Sequence, residues 1–376
     1  MPLRVEPVRT KRDLHAFVKL PWRLHRDDPR WVPPLIGETK KVFDPQKNPF
    51  FEHGDIHPFI ARRDDEVVGR VAAIRNRAHE EFHGEPVGFF GFFEAEDDPE
   101  VAGSLVEAAR EHLRVGGLRA MRGPVSPSTN EECGLLVDGF DTPPMVLTPH
   151  NPPYYESLLT GAGLAKIKDL YAFVAHSRDG QVPERLRKGA ALVRRRQPDV
   201  VVRPLNKRRF RDEVEIFRKV YNAAWQRNWG FVPMTDAEID HMAEQLKPAV
   251  DPGLIRIAEV DGTPVGFALG LPDLNQALRH ADGKLFPFGL LKILWYSRRI
   301  RRARIAVLGL VEGYRKTGID VILYHDLFEY GLKRGYTTGE FSWILEDNIS
   351  MIRPLELMGA SVYKTYRLYE TPVELG

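Results

Sequence analysis

The stretch Leu310-Val311-Glu312-Gly313-Tyr314-Arg315-Lys316-Thr317-Gly318-Ile319-Asp320 carries the residue types needed to hold a phosphate group. An apolar run over 305–310 precedes it, and a helix-like segment over 321–332 follows. A strand that turns through Arg-x-x-Gly into a helix aims backbone N–H groups at an anion, and glycine permits close backbone approach. Arg315 places a cation beside that cradle.

The rest of the chain must position this loop. Its 376 residues suggest two domains, and 43% hydrophobic with 28% charged residues is ordinary for a core-forming protein. A formal charge of +2 gives no argument for nucleic acid, although basic clusters occur at 194–196, 207–209 and 298–304. One cysteine, Cys133, excludes an internal disulfide framework and a cysteine metal cage. The opening Met1-Pro2-Leu3-Arg4-Val5-Glu6 lacks the apolar core of a signal peptide, and no apolar run approaches the ~20 residues of a membrane span. A cytoplasmic location is expected.

The chain reads twice. Val5-Glu6-Pro7 and Val202-Arg203-Pro204 are offset by 197 (204 − 7). Ile60-Ala61 with Val68-Gly69 is echoed at the same offset by Ile257-Ala258 with Val265-Gly266, and Asn151 by Asn348. Each copy opens with a strand (3–8; 200–205) followed by helices, which in the second copy fall near 208–226 and 235–246. Thr235 before Asp236-Ala237-Glu238 predicts a capped helix start. Asp261-Gly262 between apolar runs predicts a hairpin, and the first copy has its own turn at 64–66. The second copy then predicts strands at 304–311 and 338–345, helices at 320–334 and 350–358, and a last strand at 361–370.

This order, with Val311-x-x-x-Arg315-x-x-Gly318 in the strand–helix turn and Asn348 after the next strand, resembles the GNAT superfamily of N-acetyltransferases. The resemblance implies an α/β fold of two tandem domains, each a mixed, mostly antiparallel sheet flanked by helices. The expected division is a diverged GNAT-like domain over 1–181, a linker over 182–198, and a GNAT domain with an acyl-CoA site over 199–376. In the first copy the loop reads Phe92-Phe93-Glu94-Ala95-Glu96-Asp97-Asp98-Pro99-Glu100, acidic and without Arg-x-x-Gly, so no family-type coenzyme A site is expected there. The family usually has Gly or Ala where this chain has Asp320, which the turn tolerates if the side chain points away.

The resemblance further implies acetyl-CoA or another acyl-CoA as co-substrate, no metal, and direct attack of an amine on the thioester. The cofactor-binding set is then Leu310, Val311, Arg315, Lys316, Thr317, Gly318, Ile319, Asp320 and Asn348. For this the strands at 304–311 and 338–345 must splay to admit the pantetheine arm. Asn348 has a second reading as a helix N-cap. Glu346 and Tyr363 are the candidate base and acid, because the cradle strand has no carboxylate and Leu355 stands where the family often has Tyr. Tyr221, Trp225 and Trp229 are candidates for an acceptor pocket, and core packing is their other reading. The expected acceptor is a small-molecule or peptide amine. An apolar and basic insertion at 283–302 fits a packed helix, a hydrophobic acceptor or a membrane surface. Two other functions are open: a non-catalytic acyl-CoA or ligand-binding protein, and an aminoacyl-tRNA-dependent transferase.

Overall fold

A computed structural model describes residues 2–177, 180–226 and 228–374. They form two compact units, and both are discontinuous in sequence. The first holds Met1–Leu170, Ala277–Leu294 and Lys364–Gly376, and the second Tyr171–Gln276 and Trp295–Tyr363.

In the first unit the strands are β1 (Arg4–Pro7), β2 (Gly54–Arg63), β3 (Glu66–Asn76), β4 (Val87–Ala95), β5 (Ala120–Gly123), β6 (Val125–Ser126), β7 (Glu132–Cys133) and β8 (Leu135–Asp138), with β9 (Ala165–His176) leaving it. Its helices are α1 (Lys11–Lys19), α2 (Pro21–Leu24), α3 (Ile36–Val42), α4 (Arg77–His83), α5 (Pro99–Val115) and α6 (Tyr155–Gly161). The sheet runs β1-β2-β3-β4-β5, and β5 pairs with the end of the chain, Tyr369–Pro372. One face of α5 (Val101, Leu105, Val106, Ala109, Leu113) packs on apolar residues of that sheet, including Ala61, Val71, Ala73 and Phe90. The i, i+4 spacing of those helix residues is what turns one stripe inward.

The second unit holds helices α7 (Glu184–Arg196), α8 (Phe210–Trp225), α9 (Asp236–Leu246), α10 (Asn275–Leu278), α11 (Gly289–Ser297), α12 (Ile319–Arg334) and α13 (Ile349–Leu357), with α10 and α11 crossing its boundaries. Its strands are β10 (Val200–Pro204), β11 (Ile255–Val260), β12 (Thr263–Pro272), β13 (Arg302–Leu310), β14 (Thr338–Leu345) and the start of β15 (Ser361–Pro372). The order is β9-β14-β13-β12-β11-β10. Helix α12 buries Ile319, Leu323 and Leu327 against Ala258, Val265 and Ala268, while Tyr324 packs with Phe341 and Leu355.

The repeat is visible in strand register. Val5 pairs with Ala61 and Ala61 with Gly69; Val202 pairs with Ala258 and Ala258 with Gly266, at the same offset. Both hairpins slip register after that alanine. Both turn through two residues of positive φ, Asp64-Asp65 and Asp261-Gly262, as a two-residue hairpin turn matched to strand twist requires. On the third strand Gly69 faces Ala95 and Gly266 faces Leu310, so the offset grows to 215 (310 − 95). The insertion holding α11 accounts for the growth.

Within the expected linker over 182–198, residues 184–196 form α7, whose Leu186 and Ala190 are buried. Its last turn carries Arg194, Arg195 and Arg196, cations that suit a helix C-terminus.

Candidate functional site

Strands β13 and β14 run parallel and pair only from Arg302↔Thr338 to Ile305↔Phe341, then part. The sequence expected this splay. Beyond it, residues 307–309 remain paired to β12 on one side, Ala306 sits at a register shift, and all four are half-exposed although they belong to a central strand. Backbone N–H and C=O groups facing such an opening need a partner. An extended molecule with amide groups provides one, as an added strand does.

The strand runs into the loop at 311–318. Gly313, Lys316 and Gly318 all have positive φ (93°, 62° and 89°), which curls the backbone into a concavity at the N-terminus of α12. Gly318 is the N-cap of α12 and supplies no side-chain cap; its carbonyl accepts the Val321 N–H at 3.0 Å, so the N–H groups of Ile319 and Asp320 are the ones it does not close off. A Cβ at Gly318 would sit 2.7 Å from Val193 Cγ2, so α7 packs directly on the turn. Gln197 adds to this by donating to the Thr317 carbonyl at 2.6 Å.

Arg315 lies across this loop with its guanidinium donating to the Ala224 carbonyl at 2.6 Å and the Leu310 carbonyl at 3.5 Å. It therefore ties the end of α8 to the end of β13 as well as bringing charge. Asp320 lies in the first turn of α12. Burial pushes its pKa up, and the nearby backbone N–H groups of Asp320 and Val321 oppose that. The backbone of 316–319 thus adjoins a carboxylate whose charge burial disfavours.

Asn348 occupies the N-cap position of α13 without a side-chain cap bond to the backbone; its Oδ1 accepts the Ser350 hydroxyl at 2.7 Å. Tyr221 and Trp225 stack with ring centroids 5.0 Å apart, and Tyr221 also stacks on Phe217 at 5.2 Å. Tyr221 is buried and belongs to the core, whereas Trp225 is half-buried and lies against Gly309, where any Cβ would collide with its ring. Trp225 thus covers the freed part of β13, and Trp229 is half-buried beyond the helix end. Glu346 is half-exposed just past β14.

Tyr363 leads to residues the sequence reading passed over. Its hydroxyl donates to Glu340, which is fully buried. Glu340 Oε1 accepts the Ser342 hydroxyl at 2.6 Å, and Ser342 Oγ accepts from Arg304 Nε at 2.8 Å. Arg304 and Glu340 are cross-strand partners one residue before the strands part, with Nε and Oε1 3.6 Å apart. Burial raises the Glu340 pKa, opposed by Arg304, Ser342 and Tyr363. An acid and a phenol therefore sit at the apex of the splay. The available signal was the alternation Glu340-x-Ser342 on one face of β14, opposite Arg304.

The first unit shows what happens when the same place is filled. There β4 and β5 pair from Val87↔Ala120 to Phe89↔Arg122 and then part. The Phe92 N–H donates to Ser126 Oγ at 3.0 Å, so the chain's own β6 segment lies against β4. Asn151 accepts the Leu136 N–H at 2.8 Å and donates to the Leu136 carbonyl at 3.0 Å. The Ala95 N–H and carbonyl, at the register position of Leu310, are taken by the hydroxyls of Tyr155 and Tyr154. Helix α5 is capped by Asp98, whose carboxylate is bridged to Arg63. Glu94 is buried among His25 (2.9 Å), Tyr155 (2.6 Å) and Arg70 (3.5 Å). The acidic run is thus matched by partners from elsewhere in the unit, with Arg23 on Glu96.

A small cavity of about 50 Å³ in the second unit lies at the opposite end of α12, near Gly331, Tyr336 and Thr338, away from this loop.

No family model matches the chain. It is 39% identical to the bacterial ceramide synthase of Caulobacter vibrioides, over 98% of this chain and 97% of that one. It is 38% identical to protein YghO of Escherichia coli K12, over 96% and 94%. Among solved structures, a tandem GNAT protein from the clavulanic acid biosynthesis pathway, without acetyl-CoA, covers 100% of both chains with a TM-score of 0.59 and 13% identity. A GCN5-related N-acetyltransferase from Sphaerobacter thermophilus covers 100% of this chain with a TM-score of 0.53 and 13% identity. The duplicated strand register and the splayed strand pair give the chain the tandem GNAT fold of those structures, and its full-length likeness to the Caulobacter and Escherichia proteins places it in the same family as they are.

Proposed function

We propose that this protein is an acyl-CoA-dependent N-acyltransferase that acts, in its second copy, on the primary amine of a long-chain amino alcohol. The observation that carries the reading is the opened β13–β14 pair leading into the loop at 311–318. Asn348 supports it by analogy within the molecule. Asn151, its counterpart in the repeat, grips both backbone polar groups of one residue, Leu136, and an acyl-CoA arm offers Asn348 amide groups of the same chemistry. The acceptor class is supported by the name of the Caulobacter relative, since a ceramide is a fatty amide of a long-chain amino alcohol.

In the reaction the amine nitrogen attacks the thioester carbonyl, a C–N bond forms and the C–S bond breaks. The proton lost by nitrogen is balanced by the one gained by the thiolate. Backbone N–H groups along 306–310 that do not face β12 stabilise the developing oxyanion. Glu340, held toward its protonated form, and Tyr363 bonded to it handle the proton at the apex, with Glu346 at the mouth as a further base. Residues 316–319 and Arg315 hold the pyrophosphate. Much of the acceleration comes from holding amine and thioester together.

Titration calorimetry with acetyl-CoA and a long-chain acyl-CoA, paired with thiol release on a panel of amines, tests this. Cys133 is buried and is the sole cysteine, so released coenzyme A dominates the thiol signal. Binding of the long-chain donor is expected, weakened about tenfold by Arg315→Ala, a loss of ~1.4 kcal/mol. Absence of binding to either donor, or equal binding by the variant, overturns the proposal. Binding without turnover on any amine supports a sensor, and RNA retention with steep salt dependence supports an aminoacyl-tRNA transferase.

A further inference from the structure

Among the described residues, fourteen large apolar side chains are exposed, and six of them fall between positions 286 and 295: Phe286, Phe288, Leu290, Leu291, Leu294 and Trp295. The other eight are scattered, which is ordinary for a surface. Leu291 is 63% exposed and Trp295 56%, so these are not the edges of core residues. Leu290, Leu291, Leu294 and Trp295 follow one another at spacings of one, three and one along α11, which gathers them on one side of the helix.

The stem of this segment is fixed. Trp22 Nε1 donates to Asp282 at 2.9 Å, the Ile36 N–H donates to the Gly283 carbonyl at 3.0 Å, and Arg279 donates to the Pro29 carbonyl at 2.9 Å. The apolar tip is therefore presented by a braced support. Its charge is one-sided. From 283 to 305 the sequence contains no Asp or Glu, and Lys284, Lys292, Arg298 and Arg299 are exposed without a carboxylate partner among the described residues. Arg299 lies 5.4 Å from the Trp295 ring centroid, an aromatic and cation arranged side by side. No described helix is long and apolar enough to cross a membrane, so a surface attachment is the geometry available to it.

We infer that α11 and the 286–288 turn before it are a docking surface for an anionic phospholipid bilayer. Phe, Leu and Trp side chains enter the interface while the flanking Lys and Arg groups meet lipid phosphates. Trp is suited to that depth, having an apolar body and an N–H. The inference stands apart from the acyl-transfer proposal, since vesicle flotation reports on one and coenzyme titration on the other.

The experiment is flotation of the full chain with vesicles of phosphatidylcholine alone or with phosphatidylglycerol added. The protein is expected to float with the anionic vesicles and to be released by salt. Leu291→Glu with Trp295→Glu should abolish flotation. Lys292→Glu with Arg298→Glu should weaken it about thirtyfold or more, since each cation near an anionic surface is worth about fivefold. Both variants should keep the wild-type melting temperature and acyl-CoA affinity. Quenching by brominated lipid should fall in Trp295→Phe, which keeps the apolar bulk. Failure to float with either vesicle, or equal flotation of wild type and both variants, overturns the inference. So does a wild-type dimer that Leu291→Glu converts to monomer without any vesicle binding, because a second copy would then cover the patch.

Discussion

Two strand pairs at equivalent places in the repeat come apart, and their surroundings differ. In the first copy β4 and β5 part after Phe89 and Arg122, and the chain's own residues meet the freed backbone: Ser126 binds Phe92, and Tyr154 and Tyr155 bind Ala95, while Asn151 is spent on Leu136 of β8. In the second, β13 and β14 part after Ile305 and Phe341, residues 306–309 stay half-exposed, and Asn348 holds a serine hydroxyl. One fold therefore answers the same local opening in two ways. The first copy satisfies its polar groups internally and gains rigidity. The second leaves them open, as the proposed acyl-CoA site requires, at the cost of a less completed sheet.

The largest expected effect separates the two buried carboxylates. Burial raises the pKa of Glu94, but His25, Arg70 and Tyr155 outweigh it and hold the group below its ordinary value; for Glu340 burial wins and the pKa is raised. A depressed carboxylate contributes stability that is present above its unfolded value and lost as pH falls through the folded one. A raised one contributes stability that is present below its unfolded value and lost as pH rises through the folded one. Glu94→Gln should therefore cost about 3 kcal/mol at pH 7, the scale of a broken buried pair, with the deficit narrowing below pH ~4.5. The deficit of Glu340→Gln should instead narrow as pH rises. Urea unfolding between pH 4 and 8 measures both, and parallel slopes would break the comparison.

A second pair of variants sharpens it. Asn151→Ala strands a buried N–H and a carbonyl of Leu136, which should cost about 2–3 kcal/mol of stability and leave acyl-CoA affinity unchanged. Asn348→Ala should do the reverse, with stability within about 0.5 kcal/mol and acyl-CoA binding weakened roughly tenfold. Calorimetry and thermal melts on the two proteins decide it, and a stability loss at Asn348 equal to that at Asn151 would count against the division of roles. The smallest effect is at Asp320. Because burial raises its pKa, Asp320→Asn should raise the melting temperature by about 2 °C at pH 7, with the gain vanishing toward pH 4. It should also tighten acyl-CoA binding about fivefold by removing a charge near the pyrophosphate. Weaker binding would mean that the carboxylate helps to shape the cradle.

Local signals in the chain carried well into structure where the cause is local. Thr235 and Glu238 form a capping box at the start of α9, and Asp261-Gly262 makes the turn between β11 and β12. The expected strand at 338–345 coincides with β14, and the expected helix at 320–334 differs from α12 by one residue. The parting of β13 from β14 was legible through the strand–loop–helix order. What escaped depends on partners distant in sequence. Arg304 and Glu340 are thirty-six residues apart (340 − 304) and become a buried pair only across a parallel ladder. The run from Glu94 to Glu100 looks like a bare acidic loop until Arg23, Arg63, Arg70 and His25 reach it from other elements. Trp225 shares its helix face with Tyr221, but only the bare backbone of Gly309 draws it over the opened strand.

The sharing of strand segments has a consequence for how such a gene can change. Residues 364–376 end the second copy of the repeat yet complete the first unit, and residues 171–176 come from the first copy yet complete the second. A chain divided at the repeat boundary near position 199 would give two polypeptides, each missing a piece that it needs. The first would leave β5 without the strand that pairs with it at Tyr369–Pro372, an unpaired edge prone to association with other chains. Duplication made the two halves similar, but this exchange makes their separation by gene fission costly, so the copies are bound to be inherited, translated and lost together.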